Sequence, residues 1–300
     1  MCSWADLVDP PMTAGRVPAL LGRIRRRMRP GQTLIVFMDY DGTLIPIAGR
    51  PQDAIPGAAL LDLLRDLERT PRLVPVIVTG RPIRAIRKLV PLRRTWFVGT
   101  HGVDLSYGQG RILKLVRSRA AESAIRRLVP RLRACIDSTF TLENKRVSIS
   151  LHFRLARRAK SRDARRAFQI LIRPYAEKKI LACIRSKGAI EARPWRAHKG
   201  LAVPAVLWRI GSPDAFCIAL GDDKTDEDLF RAVRAREGIP IAIGRRARGA
   251  RWRLARPADA LSVLRGLAAP GFGDRRRALS GFGFGDAHTV ERAVHKKHRD

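Results

Sequence analysis

Cysteine is scarce in this chain and widely scattered: Cys2, Cys135, Cys183 and Cys217 are the only four in 300 residues. With no CxxC pair and no metal-like spacing, they indicate neither a disulfide framework nor a zinc site, and they point to a reducing, cytoplasmic compartment. Long apolar runs are missing too. Segments such as Leu34 to Met38 fall far short of the roughly 20 residues that cross a bilayer, and Asp6 and Asp9 stand where a secretory leader would be basic and then apolar, so neither a membrane span nor an export signal is expected. Aromatics are 6% of the residues, and there is no RNP-like aromatic string, zinc-finger spacing or helix-turn-helix pattern. Acidic residues are few, 27 against 60 Lys and Arg, giving a net charge of +33. Such a chain attracts polyanions nonspecifically, with a strong salt dependence. Only 11 of the 60 are Lys, and the Arg residues run along the whole chain, a distribution that fits a compositional bias better than a binding patch.

What is present is enough apolar residue, 45% of the chain, for two compact domains with cores of their own. Leu34-Ile35-Val36-Phe37-Met38 stops abruptly at Asp39-Tyr40-Asp41-Gly42, the pattern of a strand buried on both faces and ended by a turn. Leu60, Leu61, Leu64 and Leu67 are spaced for a helix, and Leu73 to Val78 is a second apolar run ending in Thr79-Gly80-Arg81. A helix over 83–89, a short strand over 96–98 and the loop Thr100-His101-Gly102 follow. The same grammar returns at 216–220, Gly221-Asp222-Asp223, 226–233 and 240–243. Helix alternating with strand predicts an α/β domain with a parallel sheet.

Between the two halves the pattern changes. Strands are expected at 111–116, 147–153, 179–184 and 189–193, and helices at 120–136 and 162–178. Val-Ser-Ile-Ser-Leu-His-Phe over 147–153 alternates like a half-buried antiparallel strand. These segments predict a small α+β unit inserted into the α/β domain. The expected organisation is an N-terminal helical segment over 1–30, a core over 31–108 and 195–270, the insertion over 109–194, and a basic, unpatterned tail over 271–300. In the first segment, Val17, Leu20, Leu21, Ile24 and Met28 share one helical face ringed by arginine; a helix packed beside the first strand is favoured over one lying on a membrane surface.

In an open parallel sheet, ligands bind beyond the carboxyl ends of the strands. The loops there carry Asp39, Asp41, Thr79, Asp222 and Asp223. Carboxylates gathered at one edge repel each other unless a cation sits among them, and a hard divalent ion such as Mg²⁺ is the economical partner. Asp39 and Asp41, two residues apart on extended chain, point the same way, so one can attack a phosphoryl group while the other handles protons. Lys199 offers a fixed positive charge and Thr79 a hydrogen bond to that group.

Asp39-Tyr40-Asp41-Gly42-Thr43-Leu44, Thr79-Gly80-Arg81, Lys199 and Gly221-Asp222-Asp223-Lys224-Thr225-Asp226-Glu227 resemble, in order, the four motifs of haloacid-dehalogenase-like phosphatases. More narrowly, DYDGTLIPI (39–47), VTGRP (78–82), GTHG (99–102), ENK (143–145), SLHFR (150–154), EARP (191–194), HKG (198–200) and GDDKTDEDLF (221–230) are similar to the trehalose-6-phosphate phosphatases. The resemblance implies a Rossmann-like hydrolase core with an α+β cap. It implies Asp39 as nucleophile, Asp41 as general acid and base, and Thr79, Gly80 and Lys199 on the phosphate. Mg²⁺ would be held by the Asp39 side chain, the Asp41 carbonyl and Asp222, with Asp223 and Asp226 supporting them. Arg81, His101, Glu143, Lys145, His152, Arg154 and Glu191 would face a phosphosugar. Sibling substrates such as sucrose phosphate or mannosyl-phosphoglycerate remain open, as does a purely polyanion-binding role. The Arg-rich stretch 245–256 and the tail match nothing in the pattern.

Overall fold

The computed structural model describes residues 16–272 apart from 187, 245 and 246, so residues 1–15 of the expected N-terminal segment and 273–300 of the expected tail lie outside the described residues. Leu34–Met38 (β1) is buried at every position, as a strand covered on both faces must be. It pairs in parallel with Leu73–Val78 (β2) and with Phe216–Gly221 (β10). Outward from β2 lies Trp96–Gly99 (β3), and outward from β10 lie Ile239–Ile243 (β11) and Trp252–Leu254 (β12), all parallel. Asp104–Tyr107 (β4) folds back antiparallel on β3 through a tight kink at Thr100 and His101, whose φ angles of 52° and 53° lie in the left-handed region. Leu113–Lys114 (β5) closes the eight-stranded sheet. The sequence reading put this last strand in the insertion. Pairing with β4 and the ion pair of Lys114 Nζ with Asp104 Oδ1 at 2.6 Å hold it on the large sheet instead.

Helices cover both faces. Arg16–Arg27 (α1), Ala58–Arg69 (α2), Ile83–Leu89 (α3) and Pro257–Ala268 (α8) bury leucine and isoleucine on one side. Ala202–Ile210 (α6) and Glu227–Arg234 (α7) cover the other. In α1, Leu20 and Ile24 are fully buried in the core, the outcome favoured over a membrane-surface helix. Phe272 also packs into this core, beneath the Arg25 guanidinium at 5.1 Å, so the chain stays attached past the expected start of the tail at 271. No helix among the described residues is long and apolar enough to cross a membrane.

A second, four-stranded antiparallel sheet has the order β6-β7-β9-β8, from Thr141–Asn144 (β6), Ile149–His152 (β7), Leu181–Ser186 (β8) and Ala189–Pro194 (β9). Arg119–Arg133 (α4) and Arg158–Glu177 (α5) pack on one face through a core of their own that includes Ile125, Leu128, Phe168 and Ile172. The side chain of Ser118 caps α4 by accepting from the Ala121 amide at 3.1 Å. Glu143, Ser150 and Glu191 stand in register on β6, β7 and β9, so all three share the opposite face. Ser150 and Glu191 are buried there, with Lys145 and His101 against Glu191 and Lys145 reaching on to the Gly80 carbonyl.

Candidate active site

Two strand ends converge on a buried lysine. Beyond β1 the Asp39 amide donates to the Leu220 carbonyl at 3.0 Å, which fixes the residue at the sheet edge with 4% of its surface exposed. Beyond β10, Asp223 caps a short helical turn at Lys224–Asp226, accepting from the Thr225 amide at 2.9 Å. Asp226 Oδ2 accepts from the amides of Asp222 and Asp223, each at 3.1 Å. Its other oxygen accepts from Lys199 Nζ at 2.7 Å, and the same ammonium donates to Asp39 Oδ1 at 2.6 Å. Lys199 is 2% exposed. Thr43 Oγ1 donates to Asp39 Oδ2 at 3.2 Å, a contact the sequence reading did not single out although Thr43 lies within the quoted motif.

Carboxylate oxygens of Asp39, Asp222 and Asp226 all lie within 4.8 Å of one another, a buried acidic triad able to hold a metal. Three carboxylates against one ammonium leave negative charge in excess. Burial first, then the neighbouring Asp226 and Asp222, push the Asp39 carboxyl well above the ordinary carboxylate range against the pull of Lys199. The Lys199 ammonium is stabilised in turn: burial opposes its charge, but Asp226 and Asp39 outweigh burial and raise it. A hard divalent cation suits this set of oxygens and its charge. Gly42 leaves room beside it: its φ is +93°, and a Cβ there would lie 2.4 Å from Asp222 Oδ2. Within this triad Asp226 accepts from Lys199 and two amides, and Asp39 accepts from Lys199 and Thr43.

Asp41, at the same loop, has a different partner. Arg81 grips it in a two-pronged pair, Nε to Oδ2 at 2.7 Å and Nη2 to Oδ1 at 2.6 Å. The Asp41 side chain is 37% exposed, so the pair lines the mouth of the site. The guanidinium lies 5.3 Å from the centre of the Tyr40 ring, which is itself buried and donates through its hydroxyl to the Ala54 carbonyl at 3.1 Å. Thr79 Oγ1 accepts from the Arg81 amide at 3.1 Å and shapes the loop that carries Gly80.

Opposite this loop stands the polar face of the small sheet. Glu191 Oε2 accepts from Ser150 Oγ at 2.6 Å and Lys145 Nζ at 2.9 Å, and lies 3.3 Å from His101 Nε2. Lys145 also lies 3.7 Å from Glu143, which pairs with His152 Nε2 at 3.1 Å. Burial disfavours the Glu191 charge, yet Lys145 and His101 outweigh it and hold the carboxyl well below its usual range. Burial likewise works against the Lys145 ammonium, but Glu191 and Glu143 keep it raised. His101 is pushed down by burial in spite of Glu191. Its ring lies against Gly80 rather than in the mouth. Arg154 reaches back from the end of β7 to donate to the Ala48 carbonyl, and it faces Asp41, Asp222 and Asp223 electrostatically. The expected site residues thus form two groups, the acidic centre with the Asp41–Arg81 pair and the small-sheet face, joined where Lys145 Nζ donates to the Gly80 carbonyl at 2.9 Å. Sequence reasoning missed Ser150 as a partner of Glu191, although its place two residues from His152 on an alternating strand put both on one face. It also did not single out Arg193 and Asp228, which lie 3.7 Å apart and fall within the quoted motifs.

A family profile described as trehalose-phosphatase matches residues 37–258. A trehalose 6-phosphate phosphatase of Zea mays is 28% identical over 263 residues, covering 79% of this chain and 70% of its own length. A trehalose-phosphate phosphatase of Mycolicibacterium paratuberculosis is 31% identical over 251 residues, covering 79% of this chain and 63% of its own. The chain thus spans 60 to 70% of the length of such curated relatives. Among solved structures, the C-terminal domain of C. albicans trehalose-6-phosphate phosphatase has the same fold, with a TM-score of 0.75 at 24% identity over 87% of this chain and 98% of that one. A trehalose-6-phosphate phosphatase related protein gives 0.66 at 25% identity, over 78% and 96%. With the profile matched over about three quarters of its length, the chain belongs to the trehalose-phosphatase family.

Proposed function

We propose that this protein hydrolyses trehalose 6-phosphate to trehalose and phosphate through a phosphoryl-Asp39 intermediate. The observation that carries the proposal is Lys199 bridging Asp39 and Asp226 beside Asp222, with the Glu143–Lys145–Glu191 face joined to the neighbouring Gly80 loop through Lys145. Asp39 attacks phosphorus as the bond from phosphorus to the sugar oxygen breaks, and Asp41 gives its proton to that oxygen. Asp41 then takes a proton from water, whose oxygen attacks phosphorus and releases Asp39. Arg81 engages both Asp41 oxygens and so holds the carboxyl in the orientation from which it carries the proton. Lys199, Thr79 and Gly80 hold the phosphate, with Lys199 also keeping Asp39 oriented.

The Asp39 and Asp222 carboxylates and the Asp41 carbonyl would hold Mg²⁺, with Asp223 and Asp226 in support, and the bound ion would supply charge neutralisation at the phosphoryl group. Residues 119–194, the small sheet with its two helices, act as a cap over the core that carries the large sheet, excluding water from the first step. Glu143, Lys145, His152, Arg154 and Glu191 offer paired donors and acceptors to the sugar hydroxyls, while His101 and Arg81 support them from the core side. Cys135, Cys183 and Cys217 are all unpaired, which fits a cytoplasmic protein. The net charge of +33 adds a weak, salt-sensitive attraction to polyanions. Asp39→Asn is the direct test of the chemistry: the amide keeps the shape but cannot form the acyl phosphate, so phosphate release should vanish while thermal unfolding stays cooperative. Turnover retained by that variant rules Asp39 out as the nucleophile.

A further inference from the structure

Arg193 is a buried cation that the proposed chemistry leaves without a role. It is 7% exposed, and its Nε and Nη1 are buried without hydrogen-bond partners. Its Nη2 lies 3.7 Å from Asp228 Oδ2, too far for a hydrogen bond. A guanidinium held this way is poor cement, since an apolar side chain would fill the place at lower cost. Its position is the more informative fact. Arg193 lies two residues from Glu191 on β9, so the two share the face turned toward the large sheet. Asp228 sits in the first turn of α7, two residues after Asp226, the partner of Lys199. Its backbone carbonyl presses on Gly200, where a Cβ would lie 2.6 Å from Asp228 O. One residue therefore touches the strand that carries Glu191 and the turn that carries Lys199. His198, next to Lys199, faces both Asp228 and Arg193 electrostatically, and its Nδ1 is also buried without a partner.

We propose that Arg193 and Asp228 form a positioning pair that transmits occupancy of the sugar-facing strand to the Lys199 turn, so that a substrate filling the sugar side tightens the phosphate side. The inference rests on the phosphosugar reading above and names how that site links its two halves. Neither residue contacts the reacting atoms. A small aryl phosphate leaves the sugar face empty and draws nothing from the pair. Trehalose 6-phosphate uses it fully, and the loss should fall on kcat with KM little changed, because sugar contacts remain while their effect on Lys199 is lost.

The test compares wild type, Arg193→Ala, Arg193→Lys, Asp228→Asn and the double variant Arg193→Ala/Asp228→Asn on trehalose 6-phosphate and on p-nitrophenyl phosphate, with thermal unfolding of each. The expected result is a roughly ten- to a hundredfold fall in kcat for trehalose 6-phosphate in both Arg193→Ala and Asp228→Asn, the usual span of a coupling between sites. The double variant should be no worse than either single one, the aryl phosphate rate should change far less, and Arg193→Lys, which keeps a charge facing Asp228, should restore part of the loss. Equal losses on both substrates, or losses that multiply in the double variant, overturn the coupling. Should Arg193→Ala fail to fold, Arg193→Lys and Asp228→Asn carry the same comparison. A wild type active on the aryl phosphate but inert toward trehalose 6-phosphate refutes the substrate reading and takes this coupling with it; a wild type active on both, slowed equally by the substitutions, refutes the coupling alone.

Discussion

Lys145 Nζ, carried at the end of a small-sheet strand, donates at 2.9 Å to the carbonyl of Gly80, which lies on the large-sheet loop beside the acidic centre. The same ammonium holds Glu191. A residue proposed to read the sugar is thus bonded to a residue proposed to hold the phosphate.

Removing that bond should separate the two kinds of substrate. Each lost charged hydrogen bond costs about 1.5–3 kcal/mol, roughly ten- to a hundredfold in kcat/KM. Lys145→Ala and Glu191→Gln should therefore lower kcat/KM for trehalose 6-phosphate by about that factor and leave an aryl phosphate much less affected. A constant ratio of the two efficiencies across the variants would mean that this face does not read the disaccharide.

The Arg81–Asp41 pair predicts a dependence on the leaving group. Arg81→Lys keeps the charge and loses the two-pronged grip that orients Asp41. Sugar oxygens are poor leaving groups and need protonation, whereas an aryl oxygen needs little. Steady-state rates should fall at least about tenfold for the sugar phosphate and distinctly less for the aryl one. Equal losses would assign Arg81 to phosphate binding alone.

Gly42→Ala should injure the acidic centre. A Cβ 2.4 Å from Asp222 Oδ2, on a backbone with φ of +93°, forces either the turn or Asp222 to move, at a cost of about 1–3 kcal/mol for the strained backbone alone. Wild type should gain thermal stability on adding Mg²⁺ and release protons as it binds, since the Asp39 carboxyl sits high. Calorimetry in buffers of different ionisation enthalpy reads both effects, and the alanine variant should lose them. Undiminished Mg²⁺ binding in Gly42→Ala would place the cation elsewhere.

Stability should follow pH in a stated direction. Burial lowers His101 from its ordinary 6.5, so the stability gained from keeping it neutral is complete above that value and drains away below it. Glu191 lies well below its ordinary 4.5, so its contribution holds above 4.5 and is lost as the pH falls further. Lys145, raised above 10.5, contributes fully below that value and loses its contribution on the alkaline side. Urea unfolding across pH should show an acid slope below about 6.5 that His101→Asn flattens near its top, and an alkaline slope that begins near 9, where the buried Cys217 thiol, raised from 9.0 to about 11, starts to favour the unfolded chain. An acid limb unchanged by that substitution would remove His101 from the linkage.

Much of this is legible in the amino-acid sequence. The run Leu34 to Met38 declares itself because a strand buried on both faces is apolar throughout, and the aspartates that follow it fall at the sheet edge because ligands bind beyond strand ends. The β4 hairpin was hidden, since its turn relies on Thr100 and His101 in the left-handed region, where sequence rules look for glycine or asparagine. The all-round apolar Ala202–Ile210 gave no stripe to read. The burial of Ser150 and Glu191 was not legible, because a two-residue period shows which side chains share a face but not what covers that face. The bond from Arg81 to Asp41 joins residues 40 positions apart, a pairing that only the sheet order creates.

The central claim is that the acidic centre and the Glu143–Lys145–Glu191 face act together on one phosphosugar. Initial rates of phosphate release, with and without Mg²⁺, from trehalose 6-phosphate, sucrose 6-phosphate, mannosyl-phosphoglycerate, glucose 6-phosphate and p-nitrophenyl phosphate test it most directly. The account predicts Mg²⁺-dependent release with kcat/KM highest for trehalose 6-phosphate by at least about tenfold, the discrimination expected from one unmatched charged hydrogen bond. Equal efficiencies across the panel, or a preference for another sugar, would contradict it.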